Sequence, residues 1–335
     1  MQKLIRGIGI VLCATLGACE ADVDLAGVEQ TTAETVKRFD QFLAAARLDE
    51  RLIIVGARGL VVDSADGGAT WRRHELLSAD TAADAAGDPF ARPHFVDITV
   101  CPNRSFAAVT MERQVWLGEG DPSEWARASL PTGETPLSIA CDQDGELWVT
   151  ATFSTLLRSN DSGRSWRKVE FGDDAQLTDI EIPEIGHPLV FGEFGTLFIS
   201  QDGGENWQRQ PPINNNEFYP QTAIFETSLK GWVGGLKGVI LFTEDGGQSW
   251  TPQPTGVDSP IYQFVRADGA LFALGDHATV LKHQGNRWER VPVGDGSAGY
   301  LRAAAPLDDG RLLVAGGGGN LQLIDWRTHS AVQVR

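Results

Sequence analysis

Apolar residues in this chain come in short runs. "LVVDS" ends at Ser64, "TLLRS" at Ser159, "TLFIS" at Ser200 and "VILFT" at Thr243, and each is followed by a polar, glycine-bearing string that ends in Trp. Runs of this length, bounded by turn residues, predict β-strands rather than helices. Twelve residues before each of those Trp stands Gly59, Ser154, Gly195 or Gly238, and Gly56, Gly192 and Gly235 lie three residues before the three glycines of that set. The unit therefore reads as strand, glycine turn, strand, polar turn, and a strand that carries the Trp.

The polar turn repeats almost verbatim. Its copies are "SADGGATW" (Ser64, Asp66, Gly68, Trp71), "SNDSGRSW" (Ser159, Asp161, Gly163, Trp166), "SQDGGENW" (Ser200, Asp202, Gly204, Trp207) and "TEDGGQSW" (Thr243, Asp245, Gly247, Trp250). An Asp carboxylate can accept the backbone N–H groups of the turn that follows it, a hydroxyl does the same more weakly, and glycine supplies positive φ. The Trp can bury its ring while its N–H finds a partner.

Weaker copies end at Trp125, Trp288 and Trp326, so Trp71, Trp125, Trp166, Trp207, Trp250, Trp288 and Trp326 mark seven units near forty residues each. The fourth unit shows its strands plainly as "LTDIEI", "PLVFGE", "GTLFIS" and "WQRQ". A period of this size with four short strands per unit predicts an all-β protein, a seven-bladed β-propeller built from four-stranded repeats over residues 36–335. The 38 Gly and 16 Pro agree with a turn-rich, strand-dominated chain. Two connections are long: Ser78 to Pro93, small and acidic, and Pro211 to Gln221, "PPINNNEFYPQ". Phe218 and Tyr219 in the second are candidate partner-binding anchors, since aromatic residues on loops are frequent interface hot spots.

The N-terminus carries an address. Lys3 and Arg6 precede an apolar run from Ile8 to Leu16 and then "LGAC", ending at Cys19. A basic start, a short apolar stretch and small residues before a cut describe a secretory signal over residues 1–18, too short for a membrane span. Leu16–Cys19 resembles a bacterial lipobox, which implies lipid attachment at Cys19. Residues 19–35 then form an acidic tether, and the protein is expected in the bacterial cell envelope, facing the periplasm, with the choice of membrane open. Beyond the signal, Cys101 and Cys141 stand nine residues before Thr110 and Thr150, in matching places of successive repeats, and are read as a disulfide or as two buried thiols.

Net charge is −17. So acidic a surface repels phosphate backbones, and nucleic acid is not an expected partner. The six histidines include no HExxH, no Cys pair has zinc spacing, and Gly316–Gly319 lacks the Lys-Ser/Thr of a phosphate loop, so neither metal nor cofactor is expected.

The repeated string resembles the Asp-box, or BNR repeat, of sialidases, xyloglucan-cleaving propellers, sorting receptors and photosystem II assembly factors. That resemblance places the box in the outer turn between the third and fourth strands, away from the functional face, and makes Asp66, Asp161, Asp202 and Asp245 structural. The sialidase pattern is incomplete: there is no Arg-Ile-Pro, and only Tyr219, Tyr262 and Tyr300 could serve as a nucleophile. Over nearly the whole mature chain the sequence is similar to the photosystem II stability and assembly factor family, as in "VGARGLVVDSADGGATW". The resemblance implies a monomeric, non-enzymatic propeller that binds a membrane protein or envelope complex as an assembly or accessory factor, in some non-phototrophic relatives beside RND-type transporters. A glycoside hydrolase of Asp-box fold is the alternative, which would need paired carboxylates across a cleft.

Overall fold

The computed structural model describes residues 34–78, 91–183, 186–293 and 299–334. The signal, Cys19, nearly all of the tether and most of the Ser78–Pro93 connection lie outside the described residues.

Among the described residues of the unit Thr35–Arg335, 28 strands, numbered β1 to β28 in chain order, form seven separate four-stranded antiparallel sheets, each from consecutive strands. The first is β1 (Phe42–Leu48), β2 (Arg51–Gly56), β3 (Leu60–Ser64) and β4 (Arg72–Glu75). The innermost strands of the others are β5 (Phe95–Val100), β9 (Pro136–Cys141), β13 (Asp179–Glu181), β17 (Pro220–Phe225), β21 (Ile261–Ala267) and β25 (Leu301–Pro306). Each innermost strand touches that of the next sheet, and β25 touches β1. The seven-bladed propeller expected from the repeat is the observed fold.

The apolar runs are continuous because the second and third strands of each blade are covered on both sides. Successive side chains of a strand point to opposite faces, so one strand feeds two cores. In β2, Leu52 and Ile54 pack against the seventh blade, with Ala303, Leu313 and Leu323, while Ile53 and Val55 pack against the second, with Phe95 and Phe106. Seven such apolar wedges, one between each pair of neighbouring blades, make up the buried interior. Fourth strands such as β4, "RRHE", face solvent and are polar.

The four clear Asp-boxes all occupy the turn between the third and fourth strands. In the fourth blade, Ser200 Oγ donates to Asp202 Oδ1 (2.9 Å) and accepts from Gly204 N (2.7 Å), and Asp202 Oδ1 accepts from Asn206 N (2.8 Å). Trp207 Nε1 then donates to the Gly204 carbonyl at 3.2 Å. The same bonds recur around Asp66, Asp161 and Asp245. So many donors hold the Asp66, Asp161 and Asp202 carboxyls down at about 2. The indoles seal the outer ends of the wedges toward the preceding blade: Trp71, Trp166, Trp207 and Trp250 all pack on the corresponding cores. Trp326 departs from the series, because it follows β27 (Leu321–Asp325) at the start of its turn and its Nε1 donates to Gly310 O. The even period had masked that shift.

Among the described residues, ring closure uses no shared strand. Blade seven, ending in β28 (Ser330–Gln333), meets blade one through an apolar wedge that includes Val36 and Val334. The segment Thr35–Gln41 clasps the seventh blade: Gly319 N donates to Asp40 O (2.9 Å), and Gln41 bridges Gly317. Asp40 in turn accepts two guanidinium bonds from Arg73, at 2.7 and 3.1 Å. Cys101 and Cys141 form a disulfide, with Cα atoms 5.2 Å apart, that joins the second and third blades near the ends of their innermost strands.

Two stability outcomes follow. Gly204 sits at φ +85°, and a Cβ there would lie 2.2 Å from Trp148 of the preceding blade. Gly204→Ala should therefore destabilise by about 2 kcal/mol or more in denaturant melts, whereas Gly203→Ala, with open space around it, should cost only the left-handed strain. Replacing both Cys101 and Cys141 with Ser opens a sequence separation of 40 residues and should cost up to about 4 kcal/mol in the chain-entropy view, read as a matching loss on reduction of the wild type.

Candidate protein-binding face

The glycine turns between second and third strands lie on the opposite face from the Asp-boxes, because strands alternate in direction. A common hydrogen bond builds every one of them. The residue just past the second strand donates to the residue that enters the innermost strand, as in Ala57 to Gln41, Met111 to His94, Thr152 to Thr135, Glu193 to Gln176 and Leu236 to Tyr219. The next residue but one must then turn left-handed, and Gly59, Gly195 and Gly238 do so at φ near +70°. The residue before it forms the tip and is left-handed too: Arg58, Phe153, Phe194, Lys237 and His277. Left-handed backbone is costly for a residue with a side chain, and most of all for a bulky one.

Those tips gather exposed apolar surface. Of the six exposed large hydrophobic side chains among the described residues, Phe39, Met111, Phe153 and Phe194 all lie on this face. Phe153 is 64% exposed and Phe194 51%. The Phe194 ring leans on Tyr219, with centroids 4.8 Å apart. Beside the first blade, Phe39 is covered by the Arg58 guanidinium at 5.7 Å, over a cavity of about 260 Å³ lined also by Asp40, Arg73, Glu75 and Arg92.

The expectation for Phe218 and Tyr219 divides. Phe218 is only 2% exposed and packs with Leu189 and Phe191 in the wedge between the fourth and fifth blades, against the backbone of Gly235. It is a core residue. The physical reason is alternation: the chain enters β17 there, so adjacent side chains point to opposite sides and only Tyr219 reaches the face. Phe153 and Phe194 were missed, although the repeat carries their signal. In the frame Gly192-Glu193-Phe194-Gly195, the residue before the second glycine is the tip, and Phe153 holds the same place before Ser154.

The axis holds a second cluster that the sequence reading missed. Six of the seven innermost strands bulge at the same point, followed by Ala44, Asp97, Ser138, Thr222, Gln263 or Ala303, and Asp179 takes the corresponding place in β13, which has no bulge. Ser138 Oγ lies 2.8 Å from Asp97 Oδ2 and 3.2 Å from Asp179 Oδ1, spanning three blades. Asp97 also accepts from Ile139 N (2.9 Å), Asp179 from Ala223 N (2.7 Å) and Glu181 from Phe225 N (2.9 Å), so each acid staples its own blade to the next. All three touch axial solvent but are enclosed by the inner strands. Desolvation pushes the Asp179 carboxyl up to about 7, helped by the Asp97 charge, and that of Glu181 to about 8. Asp97 and Asp179 do face each other as paired carboxylates, but the Ser138 hydroxyl fills the gap between them and backbone N–H groups occupy their oxygens. Among the described residues no group of three His, Cys, Asp or Glu is placed to hold a metal ion.

Fold and repeated turn together define an Asp-box β-propeller. Residues 117–211 and 164–260, from the end of the third strand of blade two through blade five, match the family model described as Photosynthesis system II assembly factor YCF48, so this stretch of the chain is similar to that family. The Photosystem II assembly lipoprotein Ycf48 of Synechococcus sp. (strain CC9902) is 31% identical over 100 residues, a match that spans 28% of this chain and 30% of that protein. Among solved structures, YCF48 from Cyanidioschyzon merolae superposes with a TM-score of 0.63 at 13% identity, covering 84% of this chain and 94% of that one. Virginiamycin B lyase from Staphylococcus aureus superposes with a TM-score of 0.59 at 12% identity, covering 82% and 92%. At these identities the structural likeness concerns the fold alone.

The raised acids give the ring a pH dependence of definite sign. A carboxyl whose folded pKa lies above its unfolded value near 4 keeps the folded state richer in protons, so its contribution is fully present below about pH 4 and declines as pH rises through 7 to 8. The Asp-box carboxyls act in the opposite sense and only below about pH 4. Thermal midpoints should therefore fall between pH 5.5 and 8.5, and the slope should flatten in an Asp179→Asn, Glu181→Gln variant. An unchanged slope in that variant would remove these groups as its cause.

Proposed function

We propose that the protein is a non-enzymatic, exported propeller, anchored by lipid at Cys19, that binds a protein as an assembly or accessory factor for a membrane complex. The observation that carries this reading is the collection of exposed apolar side chains on one face, two of them, Phe153 and Phe194, at left-handed turn tips. The match of residues 117–260 to the YCF48 family model supports it, as does the name of the Synechococcus relative, an assembly lipoprotein. Lipobox-like Leu16–Cys19 supports the anchor and a periplasm-facing site in the envelope. An RND-type envelope transporter is one candidate complex, on the family resemblance alone.

Glycoside hydrolysis is the second reading, and its specific support is the pairing of Asp97 with Asp179. Retaining chemistry needs two carboxyls about 5 Å apart with substrate between them. Here a serine hydroxyl and inter-blade hydrogen bonds take that place, so the pair reads as structural.

The test is mild cross-linking in native membranes, capture through a C-terminal tag and mass spectrometry. Stoichiometric recovery of an integral membrane complex, reduced several-fold in Cys19→Ala, is the expected result. Recovery of lipid alone, with glycan hydrolysis that is lost in Asp179→Asn, would replace this reading with the enzymatic one.

A further inference from the structure

We infer that the sector of this face formed by blades three to five receives a basic, apolar-anchored segment of a partner protein, with Phe153, Phe194 and Tyr219 as the contact and Glu134, Glu193 and Glu217 as its charged frame. The inference rests on the protein-binding reading above and adds the chemistry of what is bound.

Three observations converge. The first is the aromatic surface itself. Phe153 and Phe194 are the tips of adjacent blades, at φ 52° and 57°, where the equivalent turn of blade seven has Gly318. Two phenylalanines held in left-handed backbone and more than half exposed gain nothing for the fold, since neither contributes to an inter-blade core.

The second is charge. Glu134 Oε2 accepts only the Thr152 hydroxyl, next to Phe153, and Glu193 Oε1 only the Gln176 N–H, next to Phe194. Glu217, exposed, lies two residues before Tyr219. No cation among the described residues pairs with these three. Around Phe39, by contrast, the pairing is internal: Arg73 holds Asp40 and Glu75, and Arg92 holds Glu75. Against Glu134, Glu193 and Glu217 the sector sets one exposed cation, Lys237 at the tip of blade five, so net negative charge lies where the aromatics are bare.

The third is preorganisation. The turn Glu193–Gly195 packs on the short helix Ile213–Asn216, so the Phe194–Tyr219 pair rests on a folded support. Anchoring rings framed by carboxylates match a segment in which Lys or Arg flanks apolar residues: the rings supply contact area and a face for cations, and the acids steer approach. An acidic peptide or an anionic membrane would meet repulsion.

A photoreactive benzoylphenylalanine placed at position 194, and in a separate protein at position 248 on an Asp-box turn of the opposite face, tests this in native membranes with the full chain. The expected result is capture from position 194, with the cross-linked peptide rich in Lys or Arg beside apolar residues. Yield should fall about tenfold with Phe153→Ala, and several-fold with Glu193→Lys or on raising salt from about 0.05 to 0.5 M. Phe153→Ala should leave the thermal midpoint in place, because the side chain is exposed. Capture from position 248 alone would overturn the assignment of the face and leave the protein-binding function standing. An acidic segment captured at position 194 would overturn the chemistry, and absence of capture from both positions would remove this inference together with the function on which it rests.

Discussion

Every blade depends on burial of both faces of its sheet by its neighbours. A four-stranded sheet covered on one side only would leave a row of Val, Ile, Leu or Phe in water, at roughly 25 cal/mol for each Å². The alternation in β2, with Leu52 and Ile54 on one side and Ile53 and Val55 on the other, makes each sheet half of two cores. No blade is then stable in isolation, and the ring is the smallest arrangement that leaves no apolar face bare. The Asp-boxes serve that constraint from the rim, where each indole seals a wedge and each carboxylate fixes the turn that carries the indole.

Division of labour between the two ends of the propeller follows from the same geometry. The Asp-box end is built to be self-contained: hydroxyls, carboxylates and indoles satisfy one another inside each turn. At the glycine-turn end only backbone hydrogen bonds are fixed, and the tip residue is free to vary from Arg58 to Phe153, Phe194, Lys237 and His277. Variation at an invariant frame is what a recognition surface requires, and loops on a rigid scaffold are the usual place for it. The axial acids belong to neither end. They join inner strands of successive blades, so their protonation acts on the ring as a whole.

Much of the fold was legible because the repeat is regular. Four turns of one pattern set the period, and the period implied seven blades. Trp326 shows the cost of reading by period alone, since a tryptophan near the expected place stands on the other side of its turn. The functional face was less legible for a definite reason. Phe218 and Tyr219 drew notice as aromatics in a polar loop, but exposure there depends on the side to which each residue points as the chain enters β17, and a loop without periodicity does not reveal that. Phe194 was the better signal, because its place between two glycines of the repeated frame fixes its direction. Asp97, Asp179 and Glu181 stood inside apolar strands, and only alignment of the seven innermost strands shows that they share one ring.

Closure by packing, with no strand among the described residues exchanged between the first and last blades, shapes how the molecule comes to exist. Each sheet completes its own ladders from consecutive residues, so a chain delivered from its N-terminus can pair strands blade by blade in the order of arrival. Only the last step is long-range: Leu321, Leu323 and Val334 must find Val36, Phe42 and Leu52. Until they do, an open crescent presents one apolar side at each end. That intermediate is the vulnerable species in the life of this protein, exposed to chaperones, proteases and other crescents alike, and its lifetime is set by the speed with which one seam is joined.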